Sequence, residues 1–297
     1  MILVTGGSGF VGGAIAASLG DRTITLSRSK SKKGQKKHIC FDLTDTSRAP
    51  ELIEQLRPYG ITHIIHAAAI TPWSNQPDYS KDTDMAAVIA DIGNKLSSVT
   101  QVFFLSGWNV YSMSNQKAPY DENTLLGPAE DYGKSKLETE QYLKRKIDGA
   151  RLANLRLSSV YGPGQTSAGL IPNLVQAAFK DEVMTIGAVK TSRDYIYIDD
   201  LAAAVTGLID QELEPYTELN IGSGNSVSVG EVAETIQRIC KNNYDLEVPI
   251  QKKDPIQESS IIDNRLDITL AREKYGLLEH TLSFTEGLSR YMDWVKS

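Results

Sequence analysis

Ile2-Leu3-Val4-Thr5-Gly6-Gly7-Ser8-Gly9-Phe10-Val11-Gly12 is the stretch that decides how the rest of the chain is read. Its three aliphatic residues suit a short buried strand, and Ala14-Ile15-Ala16-Ala17-Ser18-Leu19 continues as a helix. Between the two, glycines fall at 6, 9 and 12. Positions without side chains let backbone approach a ligand and let the helix pack tightly on the sheet. The N–H groups at the helix start then face a pyrophosphate. The spacing is G-x-x-G-x-x-G rather than G-x-G-x-x-G; the strand before it and the helix after it give the glycines their meaning. A dinucleotide site is expected here.

Outward from this turn the pattern repeats. Apolar runs at 23–26, 38–41, 61–65, 102–105 and 152–157 read as further strands, with helical stretches at 52–56, 79–96 and after Tyr132. Six β-then-α units with near-continuously apolar strands predict an α/β fold with a Rossmann-type, doubly wound parallel sheet. Ligands in such sheets lie beyond the carboxyl ends of the strands. Gly6, Arg28, Asp42, His66, Ser106 and the loop from Ser158 all fall at that edge. No carboxylate ends the second strand, where it would hold the ribose of NAD; Arg28 follows it instead and suits the 2′-phosphate of NADP. The five lysines in SKSKKGQKK at 29–37 read as a solvated loop. Small residues at 67–69 allow a cofactor to lie close.

Composition narrows the class. The chain has 297 residues, 41 % hydrophobic and 23 % charged, with a formal net charge of −6. That balance disfavours nucleic acid as a partner, because a non-specific phosphate grip needs a basic face. Cys40 and Cys240 are too few for a disulfide framework and fit a reducing compartment. Met1 runs directly into the first strand with no signal-peptide pattern, and no apolar run approaches a membrane span. A soluble, cytoplasmic protein is expected. His63 and His66 stand on opposite faces of one strand, and no metal site is expected.

After Gly164 the rhythm loosens. Residues 1–164, with 193–211 returning to them, are expected to form the cofactor domain; 165–192 and 212–297 are expected to form a smaller substrate domain. Asp199 or Asp200 is expected to cap a helix over 201–209. Within the first part, Tyr132-Gly133-Lys134-Ser135-Lys136 opens LETEQYLKRK, which reads as an exposed helix. Tyr132 and Lys136 are four apart and share a face. A cation beside a phenol favours the phenolate and makes it a candidate general acid or base.

TGGSGFVG at 5–12, DLTD at 42–45, HAAA at 66–69, YGKSK at 132–136, LRLSSVYGPG at 155–164, RDYIYIDDLA at 193–202 and NIGSG at 220–224 together resemble the extended short-chain dehydrogenase/reductase family, in its sugar-nucleotide epimerase, dehydratase and reductase branch. The resemblance implies that Tyr132 exchanges a proton with a substrate oxygen while hydride moves to or from a nicotinamide, and that Lys136 holds the nicotinamide ribose. It places Gly6, Gly9, Phe10, Val11 and Gly12 on the pyrophosphate and Asp42 and Leu43 near the adenine, with Ala67 and Ala68 against the cofactor. It also implies a homodimer through helices near 84–96 and 132–146. Three positions depart from the pattern. Gly107 stands where the family carries a catalytic Ser or Thr, which leaves Ser106, one residue away, as the candidate. Ser159 replaces an asparagine near the substrate phosphates, and Asp84-Met85-Ala86-Ala87-Val88 replaces N-V-x-G-T. Arg193 and Arg265 are candidates for a substrate diphosphate.

The expected activity is an NADP(H)-dependent oxidoreductase on a nucleotide-activated sugar, a 4-keto-sugar reductase. An NAD-retaining 4-epimerase or dehydratase, and a cofactor-binding sensor without catalysis, stay open beside it.

Overall fold

Aliphatic strands buried on both faces make a parallel sheet that needs helices on each side. The computed structural model describes residues 1–29, 37–113, 117–166, 169–253 and 263–297; the basic loop at 30–36 lies outside them. Its first six strands are β1 (Ile2–Thr5), β2 (Thr23–Ser27), β3 (His38–Cys40), β4 (His63–His66), β5 (Gln101–Gly107) and β6 (Arg151–Leu157). Then come β7 (Ser159–Tyr161), β8 (Met184–Ile186), β9 (Ser192–Tyr197), β10 (Tyr216–Ile221), β11 (Ser226–Ser228) and β12 (Ile250–Lys252). The large sheet has seven strands in the order β10-β6-β5-β4-β1-β2-β3, all parallel, which is the doubly wound order expected. The order reverses at β1, so the crevice between β1 and β4 opens above the glycine turn.

The helices are α1 (Phe10–Leu19), α2 (Ala49–Leu56), α3 (Ser80–Lys95), α4 (Asp131–Lys146), α5 (Leu170–Phe179), α6 (Ile198–Gly207), α7 (Val229–Tyr244), α8 (Thr269–Tyr275) and α9 (Phe284–Lys296). Alternation along β5 sends Val102 and Phe104 into the core under α2, α3 and α4, and Phe103 and Leu105 into the core with α1 and α6. The same alternation separates the histidines of β4: His63 stacks on Phe103 and His66 lies against Phe104.

Three expectations are corrected. β10 lies in the large sheet beside β6, although 212–297 was read as part of a smaller unit. Its alternation of Leu219 and Ile221 with Glu218 and Asn220 reads as a half-exposed strand. In the fold Asn220 is fully buried and Glu218 joins a buried ion network, so both faces are used. The stretch from 193 divides: α6 packs on α1, while β9 pairs with β7 and β11 in a separate small sheet. Second, α6 starts at Ile198 after Tyr197, with no side-chain cap. Asp199 and Asp200 lie inside its first turn, where the helix dipole favours them, and Asp200 Oδ2 accepts from Leu282 N at 2.9 Å instead. Third, α4 is not merely a solvated helix. Ser135, Lys136, Thr139 and Glu140 are buried; Ser135 pairs with Asp82 of α3, Lys136 with the Leu105 carbonyl of β5 and Glu140 with Arg156 of β6.

Candidate active site

The glycine turn is built by close backbone approach. Gly6 adopts φ +67°, and a Cβ there would meet Ala68 N at 2.9 Å. At Gly12 a Cβ would stand 2.5 Å from Gly6 O, so α1 seats directly on the turn. No acidic residue occupies the first turn of α1, and no side chain caps it. Its leading N–H groups, at Phe10, Val11 and Gly12, lack helical acceptors and suit an anion. The cradle and the small Ala67–Ala68 turn beside it fit a dinucleotide pyrophosphate.

Beneath the turn, Ala68 N donates to Thr5 Oγ1 at 3.2 Å, and Thr5 Oγ1 lies 2.8 Å from His66 Nδ1. Burial, with the charge of Lys136 adding to it, pushes the His66 pKa down to about 3, so the ring is neutral at neutral pH. At the far end of the crevice Arg28 is exposed just after β2. Partial burial raises the Asp42 carboxyl. The Thr44 backbone and hydroxyl, donating to Oδ1 at 3.0 and 2.8 Å, outweigh it together with Arg28 and Lys81 and leave it below the usual carboxylate range. Leu43 is buried in the core and offers only backbone there.

Tyr132 and Lys136 meet as the spacing requires. Lys136 Nζ stands 5.6 Å from the Tyr132 ring centroid and 4.9 Å from that of Phe104, and donates to Leu105 O at 3.0 Å. An almost fully buried ammonium held by one carbonyl keeps donors free for a ligand. Ser135 Oγ donates to Asp82 Oδ2 at 2.7 Å, while Ile70 N donates to Asp82 Oδ1 at 2.8 Å. One buried carboxylate thus ties α4 to the turn after β4. Tyr79 packs on Tyr132 with ring centroids 6.0 Å apart. Further along α4, Glu140 receives Arg156 through Nε at 3.2 Å and Nη2 at 2.9 Å. The same guanidinium reaches Glu218 at 2.8 Å and the Tyr111 hydroxyl at 3.2 Å. Asp82, Glu140 and Arg156 were missed in the sequence: single charges in a helix or strand read as surface until their partners are known.

The other candidates are dispersed. Ser106 is buried on the Phe104 face of β5, and its Oγ has no hydrogen-bond partner among the described residues. Ser159 begins β7 at the end of the large sheet, half-buried. Arg193 is exposed on β9. Arg265 is half-buried, with Nε sealed and unpartnered among the described residues, while its carbonyl accepts from Tyr120 N at 2.9 Å. Among the described residues no group of three or more His, Cys, Asp or Glu could hold a metal, and no helix is long and apolar enough to cross a membrane.

This arrangement has counterparts of known sequence and structure. dTDP-4-dehydro-6-deoxyglucose reductase of Escherichia coli is 29 % identical over 271 residues, covering 80 % of each chain. UDP-N-acetyl-alpha-D-glucosaminuronate decarboxylase of Bacillus cytotoxicus is 25 % identical over 318 residues, covering 99 % of this chain and 97 % of that one. The crystal structure of UDP-glucose 4-epimerase with UDP-glucose from Thermotoga maritima superposes with a TM-score of 0.83 at 25 % identity, over 99 % of this chain and 98 % of that one. Residues 2–222, which hold the glycine turn, the Tyr132–Lys136 pair and the whole seven-stranded sheet, match the NAD dependent epimerase/dehydratase family. The chain belongs to that family, within the extended short-chain dehydrogenases/reductases.

Proposed function

We propose that this enzyme is an NADP(H)-dependent reductase of a 4-keto nucleotide sugar. The observation that carries this reading is Arg28, exposed at the end of β2 where no carboxylate stands to receive an unphosphorylated ribose. A phosphorylated, dissociable cofactor suits net reduction. Similarity to a dTDP-4-dehydro-6-deoxyglucose reductase supports the same direction.

A bound nicotinamide cofactor supplies the hydride. The glycine turn and the N-terminus of α1 would hold its pyrophosphate, Arg28 its 2′-phosphate and Lys136 its ribose. Tyr132 delivers a proton to the oxygen of the reduced carbonyl. Lys136, fixed to Leu105 O, stands beside the Tyr132 ring at the same end of the site. Asp82 and the Arg156–Glu140 pair hold α4 so that Tyr132 meets the substrate in register. Ser106, Ser159, Arg193 and Arg265 are the residues through which substrate recognition would be sought first. A homodimer through α3 and α4 and a cytoplasmic location complete this reading.

A second reading, an NAD-retaining 4-epimerase, draws on the likeness to the Thermotoga maritima epimerase. Titration of cofactor-free protein with NADPH and NADH separates the two. A preference for NADPH of tenfold or more, about 1.4 kcal/mol, supports the reductase. Equal affinity or a preference for NADH turns the case to the epimerase. In either enzyme Tyr132→Phe is expected to lower kcat by about 10²- to 10⁴-fold with cofactor affinity retained; undiminished turnover would remove Tyr132 from the chemistry.

A further inference from the structure

Gly107 closes β5 in extended backbone, φ −153° and ψ 161°, a conformation open to any residue. Something other than backbone geometry therefore matches this position to glycine. A Cβ there would stand 2.7 Å from Asn109 Oδ1 and 3.7 Å from its Cγ. The Asn109 amide occupies the volume that a side chain at 107 would take. Asn109 lies in the single 3₁₀ turn Trp108–Val110, and that turn rests on the start of α4: a Cβ on Gly133 would collide with Asn109 O. The end of β5, the Asn109 amide and the residue next to Tyr132 therefore converge.

Asn109 Oδ1 is sealed from solvent and has no hydrogen-bond partner among the described residues. Leaving such an atom unsatisfied is destabilising. Packing alone would be served better by an aliphatic side chain. The residue as a whole is only half-buried, so with Oδ1 turned against Gly107 the amide N–H₂ is the branch left to donate. Ser106 offers no equivalent, since strand alternation directs it to the opposite face of β5 from position 107.

We propose that Asn109 is a catalytic residue: its Oδ1 fills the space left open by Gly107, and its side-chain N–H, on the other branch of the amide, donates a hydrogen bond to the reacting oxygen of the substrate. This rests on the carbonyl-reducing reading of the site. A bound nicotinamide cofactor would supply the hydride; the substrate oxygen then gains negative charge, Tyr132 supplies the proton, and Asn109 offers a preorganised donor without losing its own proton.

The test compares Asn109→Ala, Asn109→Asp and Gly107→Ser/Asn109→Ala in steady-state reduction of a 4-keto nucleotide sugar by NADPH, with NADPH affinity measured separately by fluorescence titration. Asn109→Asp keeps the shape and removes the donor. Both single variants are expected to lower kcat about 10²- to 10³-fold, with the dissociation constant for NADPH unchanged. Gly107→Ser/Asn109→Ala, which puts a hydroxyl into the vacated space, is expected to recover about tenfold or more of that loss. Wild-type kcat in either single variant, or a double variant no faster than Asn109→Ala, overturns the assignment. Tyr132→Phe in the same assay separates the two levels. Full turnover there takes down the underlying reading and this proposal together. Loss there with full rate in the Asn109 variants removes Asn109 alone.

Discussion

Arg156→Met is the substitution that most directly probes how the sheet holds α4, the helix that carries Tyr132 and Lys136. The guanidinium and the Glu140 carboxylate are 1 % and 2 % exposed and share two hydrogen bonds, at 3.2 and 2.9 Å. Glu218, the second carboxylate on Arg156, is 30 % exposed. Removing the arginine leaves Glu140 buried without a cation. Breaking a fully buried pair this way costs about 3–5 kcal/mol. Glu140→Gln is expected to cost less, because Arg156 keeps Glu218 and loses one charged bond, worth about 1.5–3 kcal/mol. Arg156→Met/Glu140→Leu removes both charges at once, and Glu218 can turn to water; most of the stability is expected to return, since apolar replacement of a buried pair is often close to neutral. Urea unfolding followed by tryptophan fluorescence reads the stability of all three variants. The reasoning is refuted if Arg156→Met costs less than about 1 kcal/mol, or if the double variant is no more stable than Arg156→Met.

Gly12→Ala places a methyl group 2.5 Å from Gly6 O, a backbone atom that cannot swing aside. Overpacking of this kind costs about 1–3 kcal/mol, and NADPH affinity is expected to fall with it; calorimetric titration showing wild-type binding would contradict the cradle. His66 gives a pH signature. Its pKa is about 3 in the folded chain against 6.5 as the ordinary value, so the unfolded chain binds more protons between those limits. Stability therefore rises with pH across that window and is lost as pH falls below 6.5, by about 1.4 kcal/mol per unit from this one group. His66→Gln is expected to flatten the profile by that slope, and parallel profiles from pH 7 to 4 would show that burial does not hold the ring neutral.

Much of the cofactor edge was legible because its signals are local. A glycine trio between a strand and a helix specifies its own geometry, and Gly6 and Gly12 meet the close approaches it implies. The Tyr132–Lys136 pair was legible because helix periodicity alone puts the two side chains together. Sequence reading failed where meaning depends on a distant partner. Asp82 meets Ser135 across 53 positions, and Tyr111 meets Asn220 across 109. Asp200, read as a helix cap, serves Leu282 82 residues away. Asn109 was passed over because nothing in sequence places its amide in the space beside Gly107.

The sequence by itself determined the parallel sheet, the glycine turn and the pairing of Tyr132 with Lys136, since period-2 and period-3.6 patterns and glycine geometry act over a few residues. Only the tertiary structure decided that β10 completes the sheet and that Arg156 and Asp82 pin α4. It also decided that an asparagine amide, not a residue-107 side chain, stands at the end of β5. Burial, and with it the strength and purpose of a polar group, is set by what the folded chain brings from far along its length.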